Sequence, residues 1–284
     1  MSRFVIRNDA GEEWPLDGER GVWFSNVQGL GIQNSQTMAD LGNGFSHFLD
    51  TGTYPRVVVP GDLIFMPPNA YQTYRQLINF LMASAEFTLS YTPYGTDEYY
   101  RRVKIEYISK GVTDKRGRLD CPLSLIPLTP WYSPQEISFT MHGSDLNTMK
   151  YPFVYADDLV YGSDSDDDFG GTVNPGGHQP AALRLQYSGQ LNQPYLTLTG
   201  ATSGTEYARC AVGATVTGLD YSSDQRDSYV RDRAGNDLLD YVSMAYDPYI
   251  RIPLVGEQCI LKLHASNTLD GTASVRLYYY FRSV

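Results

Sequence analysis

Residues 67–81, Pro67-Pro68-Asn69-Ala70-Tyr71-Gln72-Thr73-Tyr74-Arg75-Gln76-Leu77-Ile78-Asn79-Phe80-Leu81, are the one stretch of this chain that reads convincingly as a helix. Tyr71, Tyr74, Leu77, Ile78 and Leu81 recur at the three- and four-residue steps that gather side chains on one face. Asn69 stands where an N-cap belongs, and Gln72, three residues on, completes the pattern of a capping box. On both sides the period falls to two. Downstream, Glu86 to Thr92 reads as a strand, as does Glu98 to Ser109, with Tyr99, Val103, Ile105 and Tyr107 on one side and Tyr100, Arg102, Lys104 and Glu106 on the other. Upstream, Val57-Val58-Val59 and Leu63-Ile64-Phe65-Met66 flank the Pro60-Gly61 turn. One amphipathic helix among strands predicts a mainly β protein in which that helix packs on a sheet.

Further out, Arg3 to Arg7 and Glu13 to Leu16 flank the turn Asn8-Asp9-Ala10-Gly11 and read as a hairpin, followed by strands at Gly21-Val22-Trp23-Phe24 and Val27-Gln28-Gly29-Leu30-Gly31. Beyond the helix, Leu119 to Ile126 is another strand, and Leu125 to Pro134, with three prolines, reads as a domain exit. This places a β-rich domain with one helix at residues 1–140 and a second domain at 141–284. The second is nearly all short strands: Ile137 to Met141, Ala182 to Tyr187, Tyr195 to Thr199, Tyr207 to Thr217, Tyr249 to Ile252, Gln258 to His264 and Ala273 to Arg282. Such spacing suggests a β-sandwich or jelly roll. Tyr161 to Gly177, polar, glycine-rich and acidic, reads as a loop, and Asn236 to Ala245 fits a short helix or a strand.

With 284 residues, 42% hydrophobic and 19% charged, the chain has material for a folded core and is neither collagen nor coiled coil. Tyrosine is abundant, at 23, and a count of the sequence finds 17 Arg against 5 Lys, the balance of residues found where protein surfaces meet. The net charge of −10 argues against a generic nucleic-acid binder and against an anionic membrane surface. Cys121, Cys210 and Cys259 are odd in number, far apart and without a CxxC, so neither a disulfide framework nor a zinc knuckle is expected. The N-terminal residues lack the apolar core of a signal peptide, and the most apolar window, Leu77 to Ala85, is too short to span a bilayer.

Chemistry-bearing motifs are scarce. Asp164-Ser165-Asp166-Asp167-Asp168 invites calcium, but Phe169 stands where an EF-hand needs glycine and Pro175 where it needs glutamate. His47, His142, His178 and His264 have no metal-site spacing. There is no GxSxG elbow or phosphate loop, and Gly29-Leu30-Gly31 lacks the third glycine of a dinucleotide fingerprint. Paired carboxylates such as Asp97-Glu98 are what 32 acids would produce by chance. We expect no enzyme, no cofactor and no metal. The conspicuous charge feature is Arg101, Arg102, Lys104, Lys110, Lys115, Arg116 and Arg118, seven cations within 18 residues on a predicted hairpin. They suit an acidic neighbouring subunit, a channel passing DNA, or a solvated face.

The order of these features resembles the distal tail proteins of long-tailed (siphovirus) bacteriophages. It is carried by the N-terminal hairpin, the strand entering Val27-Gln28-Gly29-Leu30-Gly31, the single helix at Tyr71 to Leu81, the proline-rich exit, and the segment Ile252-Pro253-Leu254-Val255-Gly256-Glu257-Gln258-Cys259-Ile260-Leu261 before a final strand at Val275 to Phe281. The resemblance implies a ring-forming belt domain and a galectin-like β-sandwich, whose last strand pairs within the sandwich or returns to the belt. It implies a virion protein of the tail tip, synthesised in the host cytoplasm. Six copies would ring the tail between the tube protein and the baseplate hub or receptor-binding proteins, with DNA only as passing cargo. The sugar site of galectins relies on a stacking tryptophan, whereas Trp14, Trp23 and Trp131 all precede the expected sandwich, which therefore reads as a platform. The alternative is a host-surface carbohydrate-binding module.

Overall fold

Alternating apolar side chains become hydrogen-bonded ladders along most of the chain. The computed structural model describes residues 3–31, 37–40, 46–49, 58–94, 97–137, 139–142, 168–224, 227–243, 247–266, 271–282 and 284. They divide into two compact units: Met1–Ser133 with Phe281–Val284, and Pro134–Tyr280.

The first unit contains β1 (Arg3–Asn8), β2 (Glu13–Pro15), β3 (Val22–Ser25), β6 (Val59–Phe65), α1 (Ala70–Met82), β7 (Phe87–Thr92), β8 (Tyr99–Ile108), β9 (Leu119–Pro127) and the start of β10 (Trp131–Ile137), with β4 (Thr37–Asp40) and β5 (Ser46–Leu49) paired separately. The ladder runs β3-β6-β9-β8-β7-β1-β2, all antiparallel. It also closes. Leu16 N–H donates to Phe4 O at 2.8 Å, while Leu16 O accepts from Phe24 N–H at 2.9 Å and Gly18 N–H reaches Val22 O at 2.9 Å. The 13–18 segment thus bridges β1 and β3, and a closed barrel leaves no unpaired edge at that seam. Its interior is filled by Phe4, Ile6, Phe24, Leu63, Phe65, Leu89, Val103, Leu123 and Leu125.

The predicted helix is present as α1, but not as its sequence reads. Asn69 occupies the N-cap with φ −105° and ψ 22°, and its side chain makes no cap hydrogen bond. A capping side chain needs the extended backbone that these angles are not. Ala70, Leu77 and Leu81 are buried, whereas Tyr71 is 51% exposed. The apolar face is rotated because the helix lies over the end of the barrel lined by aromatic rings: Phe80 meets Trp14 at 5.6 Å and Phe87 at 6.2 Å, and Tyr74 meets Phe65 edge-on at 5.6 Å. In β8 the alternation breaks at a bulge between Ile105 and Tyr107, which turns Ile108 to the core and leaves Tyr107 half exposed.

The second unit contains β11 (Thr140–His142), β12 (Asp168–Val173), β13 (Gln179–Asn192), β14 (Tyr195–Gly200), β15 (Glu206–Ala211), β16 (Thr215–Ser222), β17 (Tyr229–Arg231), β18 (Arg251–Ile252), β19 (Cys259–His264) and β20 (Thr272–Phe281). One antiparallel sheet runs β11-β12-β19-β14-β15, and the other runs β17-β16-β13-β20 with β18 on the first residues of β13. The sheets pack face to face: Phe169 of the first meets Tyr187 of the second edge-on at 5.6 Å. Burial alternates accordingly, with Leu183 and Leu185 of β13 and Val275 and Leu277 of β20 inward. Tyr221 is wholly buried; its hydroxyl donates to Pro248 O at 2.9 Å and accepts the Ile250 N–H.

One expectation changes here. The stretch expected to be a loop from Tyr161 to Gly177 contains β12, because Phe169 and Val173 both insert into the core while Gly170 and Gly171 between them obscure the alternation. Of the two alternatives open for Asn236 to Ala245, its described residues take the short helix, a 3₁₀ turn at Leu239–Tyr241. Most of β20 pairs with β13, and from Phe281 the chain belongs to the first unit, where Phe281 packs edge-on against Tyr99 at 5.2 Å and Val284 N–H donates to Leu30 O at 3.1 Å.

Candidate interface

The seven predicted cations all lie on β8, β9 or their connection, yet the fold gives them different tasks. Arg101 shares the inward parity of Val103. Its Nε donates to Thr129 O at 2.8 Å, its guanidinium lies 5.5 Å from the Trp131 ring centroid, and burial pulls its pKa down to about 10. Arg102 and Lys104 point the other way and share one carboxylate, Glu86, at 2.7 and 3.3 Å. Arg118 forms a two-pronged pair with Asp120 at 2.6 and 2.8 Å.

Lys110 sits over the Tyr71 ring at 4.7 Å, which accounts for the outward tyrosine on α1. Lys115 and Arg116 occupy the tight turn, where Asp114 Oδ1 accepts the N–H groups of Arg116 and Arg118, each at 2.8 Å. The turn side of the hairpin also exposes Val112, at 92%, and Gly111 lies so close to Asp120 that an added Cβ would fall 2.0 Å from its carbonyl oxygen. The sequence cluster is therefore one half-buried cation, two that share a carboxylate, one with a carboxylate of its own, one on an aromatic ring, and two at the tip.

The acidic run Asp164 to Asp168, together with His47 and His142, has its side chains outside the described set. Among the described residues no group of three or more His, Cys, Asp or Glu could hold a metal ion. Cys121, Cys210 and Cys259 are all buried and unlinked, and burial pushes the Cys210 thiol up to about 12.

Sequence reasoning missed a trough of mixed polar and apolar lining on the outward face of the second unit's β17-β16-β13-β20 sheet. Strand register lines Arg231, Asp220, Gln186 and Ser274 in one row across four strands, since Asp220 pairs with both Arg231 and Gln186 and Gln186 with Ser274. The trough encloses about 480 Å³, floored by Ser188, Thr272 and Ala273 and walled by the Asp232–Gly235 turn. A second hollow of about 360 Å³ adjoins it through Gln186, Ala273 and Ser274 and extends to Arg184, Arg276 and Glu136. The residues come from segments up to 140 positions apart, as the Arg276–Glu136 pair illustrates, so no local motif announces them.

Comparison with known proteins gives this arrangement a context. No curated protein matches the sequence. Among solved structures, a chain from the structure of the phage P2 baseplate in its activated conformation with Ca superposes with a TM-score of 0.63 at 13% identity, over 100% of each chain. The Dit protein of phage SPP1, described as a paradigm of hub adsorption apparatus in Gram-positive infecting phages, superposes with a TM-score of 0.56 at 12% identity, over 97% of this chain and 98% of that one. At such identity these likenesses establish the fold. Residues 3–128 match the family described as distal tail protein, N-terminal domain. Over these residues the chain is similar to the N-terminal domain of distal tail proteins.

Proposed function

We propose that this protein is a structural component of a phage tail tip: six copies form a ring that joins the tail tube to the baseplate or tip hub and leaves a central passage for DNA. The observation that carries this reading is the match of residues 3–128 to the distal tail protein N-terminal domain, the region that forms the closed barrel. The role needs no catalysis. The first unit supplies the belt, and the second, a two-sheet sandwich read here as galectin-like, serves as the outward platform.

Several features of the first unit suit subunit contact. A closed ladder offers no edge for strand addition, so copies must meet through side chains and loops. The β8–β9 connection has the composition for it, with Lys115 and Arg116 beside the exposed Val112. In an acidic chain, a neighbouring copy is a natural partner for such a tip.

Light scattering behind a sizing column, with negative-stain imaging of the peak, tests the ring. A six-fold ring, single or stacked in pairs, is the expected result; a monomer that stays monomeric with tail-tube and hub partners would refute it. Lys115→Glu with Arg116→Glu should shift the ring toward smaller species without lowering the melting temperature. An unchanged ring would remove the hairpin tip from the interface.

A further inference from the structure

The two ends of the first unit carry opposite charge. β8 runs for ten residues, about 30 Å, between them. Past its C-terminal end come Lys110, Lys115 and Arg116. α1 lies against that same end: Lys110 Nζ stands 4.7 Å from the Tyr71 ring centroid, and a Cβ added to Gly117 would lie 3.4 Å from that of Pro67. From Met66 to Ala85 the one charged residue is Arg75. Arg75, Lys110, Lys115 and Arg116 are exposed and have no ion pair among the described residues. The carboxylates at this end are taken, Asp114 by the backbone N–H groups of its turn and Asp120 by Arg118. Between the cations the surface is apolar, with Met66, Tyr71, Val112 and, at 81%, Met82 exposed. Tyrosine, methionine and arginine gathered without a free carboxylate make the composition of a contact surface.

At the other end of β8 the sign reverses. Asp97 and Glu98 are exposed and have no ion pair among the described residues, and Tyr94 beside them is 84% exposed. Glu98 accepts the Tyr100 hydroxyl at 2.6 Å, which leaves its charge in place. The cations of this end are engaged. Arg3, in register with Thr92 of β7, is held by Asp17 at 2.9 Å and Glu19 at 3.5 Å, and Arg101 turns inward to Thr129 O and the Trp131 ring.

These two surfaces fit each other and neither fits itself. A two-fold contact at the α1 end would set the four cations against their own copies, and one at the β7–β8 turn would set acids against acids. Docking one end on the opposite end of a second copy joins unlike charges and covers the exposed aromatic and apolar side chains of both. A contact between two different surfaces is also the kind that propagates from copy to copy and closes into a ring. We propose that the α1 end of one copy, with Lys110, Lys115 and Arg116, docks on the β7–β8 turn of the next, with Asp97, Glu98 and Tyr94. This rests on the ring proposed above and adds which surfaces meet in it.

Charge exchange tests it, read by sedimentation velocity of the full-length protein over a concentration series at about 0.15 M salt. Lys115→Glu with Arg116→Glu, and separately Asp97→Lys with Glu98→Lys, should each raise the concentration at which half the chains are assembled at least about tenfold, because like charges then face each other. The melting temperature should stay in place, since all four side chains are exposed. The variant carrying all four substitutions restores unlike charges across the contact and should assemble within about threefold of the parent, a rescue that damage to folding would not give. The proposal is overturned if either pair of substitutions leaves assembly unchanged, or if the fourfold variant assembles no better than the pairs. A parent that forms rings indifferent to these changes overturns this contact alone, whereas a parent that does not self-associate overturns the contact and the ring together.

Discussion

The two units are both antiparallel β, and they treat their outward faces differently. In the first, the ladder closes through Leu16 and Gly18, and the outward cations of β8 find a carboxylate in the same unit: Arg102 and Lys104 share Glu86. In the second, two sheets stack without closing, and strand register sets Arg231, Asp220, Gln186 and Ser274 in one outward row. A charge count along the chain would have selected the first region as the binding surface. The tertiary structure divides those cations among separate carboxylates and an aromatic ring, whereas register gathers a mixed row of charged and polar groups from distant segments of the second unit.

The sharpest way to separate the units is to break each core. Phe65→Ala empties a fully buried position between β6 and the aromatic ring of Tyr74. It should cost the first unit about 3–5 kcal/mol, seen as an earlier denaturant transition for the barrel while the sandwich signal stays in place. A single coincident transition would show that the units unfold together.

Tyr221→Phe is the counterpart in the sandwich. It keeps the ring and strands the Ile250 N–H and Pro248 carbonyl, so it should cost about 1–3 kcal/mol. A near-zero effect would mean that both groups find other partners.

Acid sensitivity sharpens the contrast further. The Glu257 carboxylate accepts the N–H groups of Thr202 and Ser203, each at 3.0 Å, and the hydroxyls of Ser203 and Tyr207 at 2.6 and 2.5 Å. These bonds hold its pKa down to about 2, from an ordinary 4.5. Because the folded value is the lower one, its stabilisation is complete above about pH 4.5 and is lost as pH falls toward 2. Glu257→Gln should therefore melt earlier at pH 6, with the gap to the parent narrowing across that window. A gap independent of pH would assign the loss to packing.

The smallest expected change is at the surface of the first unit. Glu86→Gln releases Arg102 and Lys104, but exposed pairs of this kind contribute about 0–1 kcal/mol, so thermal unfolding should barely move. A larger loss would mean that the pair is shielded from solvent, and a changed oligomer would place it at a subunit contact.

Much of the fold was legible in the residues. The hairpin around Asn8 to Gly11, the helix within 67–81 and the strand of β8 follow from periodicity and turn chemistry that act over a few residues. What misled the reading was also local: Gly170 and Gly171 hid β12, and the bulge at Ile105–Tyr107 turned Tyr107 outward. The candidate cations were legible as a list but not as a surface, since whether Arg101 is half-buried or Arg118 is paired depends on Thr129, Trp131 and Asp120.

By itself, then, the sequence determined element type, the mainly β class, the single helix, and the order of features that resembles the distal tail proteins, because these depend on neighbours a few positions apart. Only the tertiary structure decided that the barrel closes, which face α1 buries, and that Arg231, Asp220, Gln186 and Ser274 form one row. Strand register is set by ladders between segments far apart in the chain, and a shift of one residue would send that whole row to the opposite face.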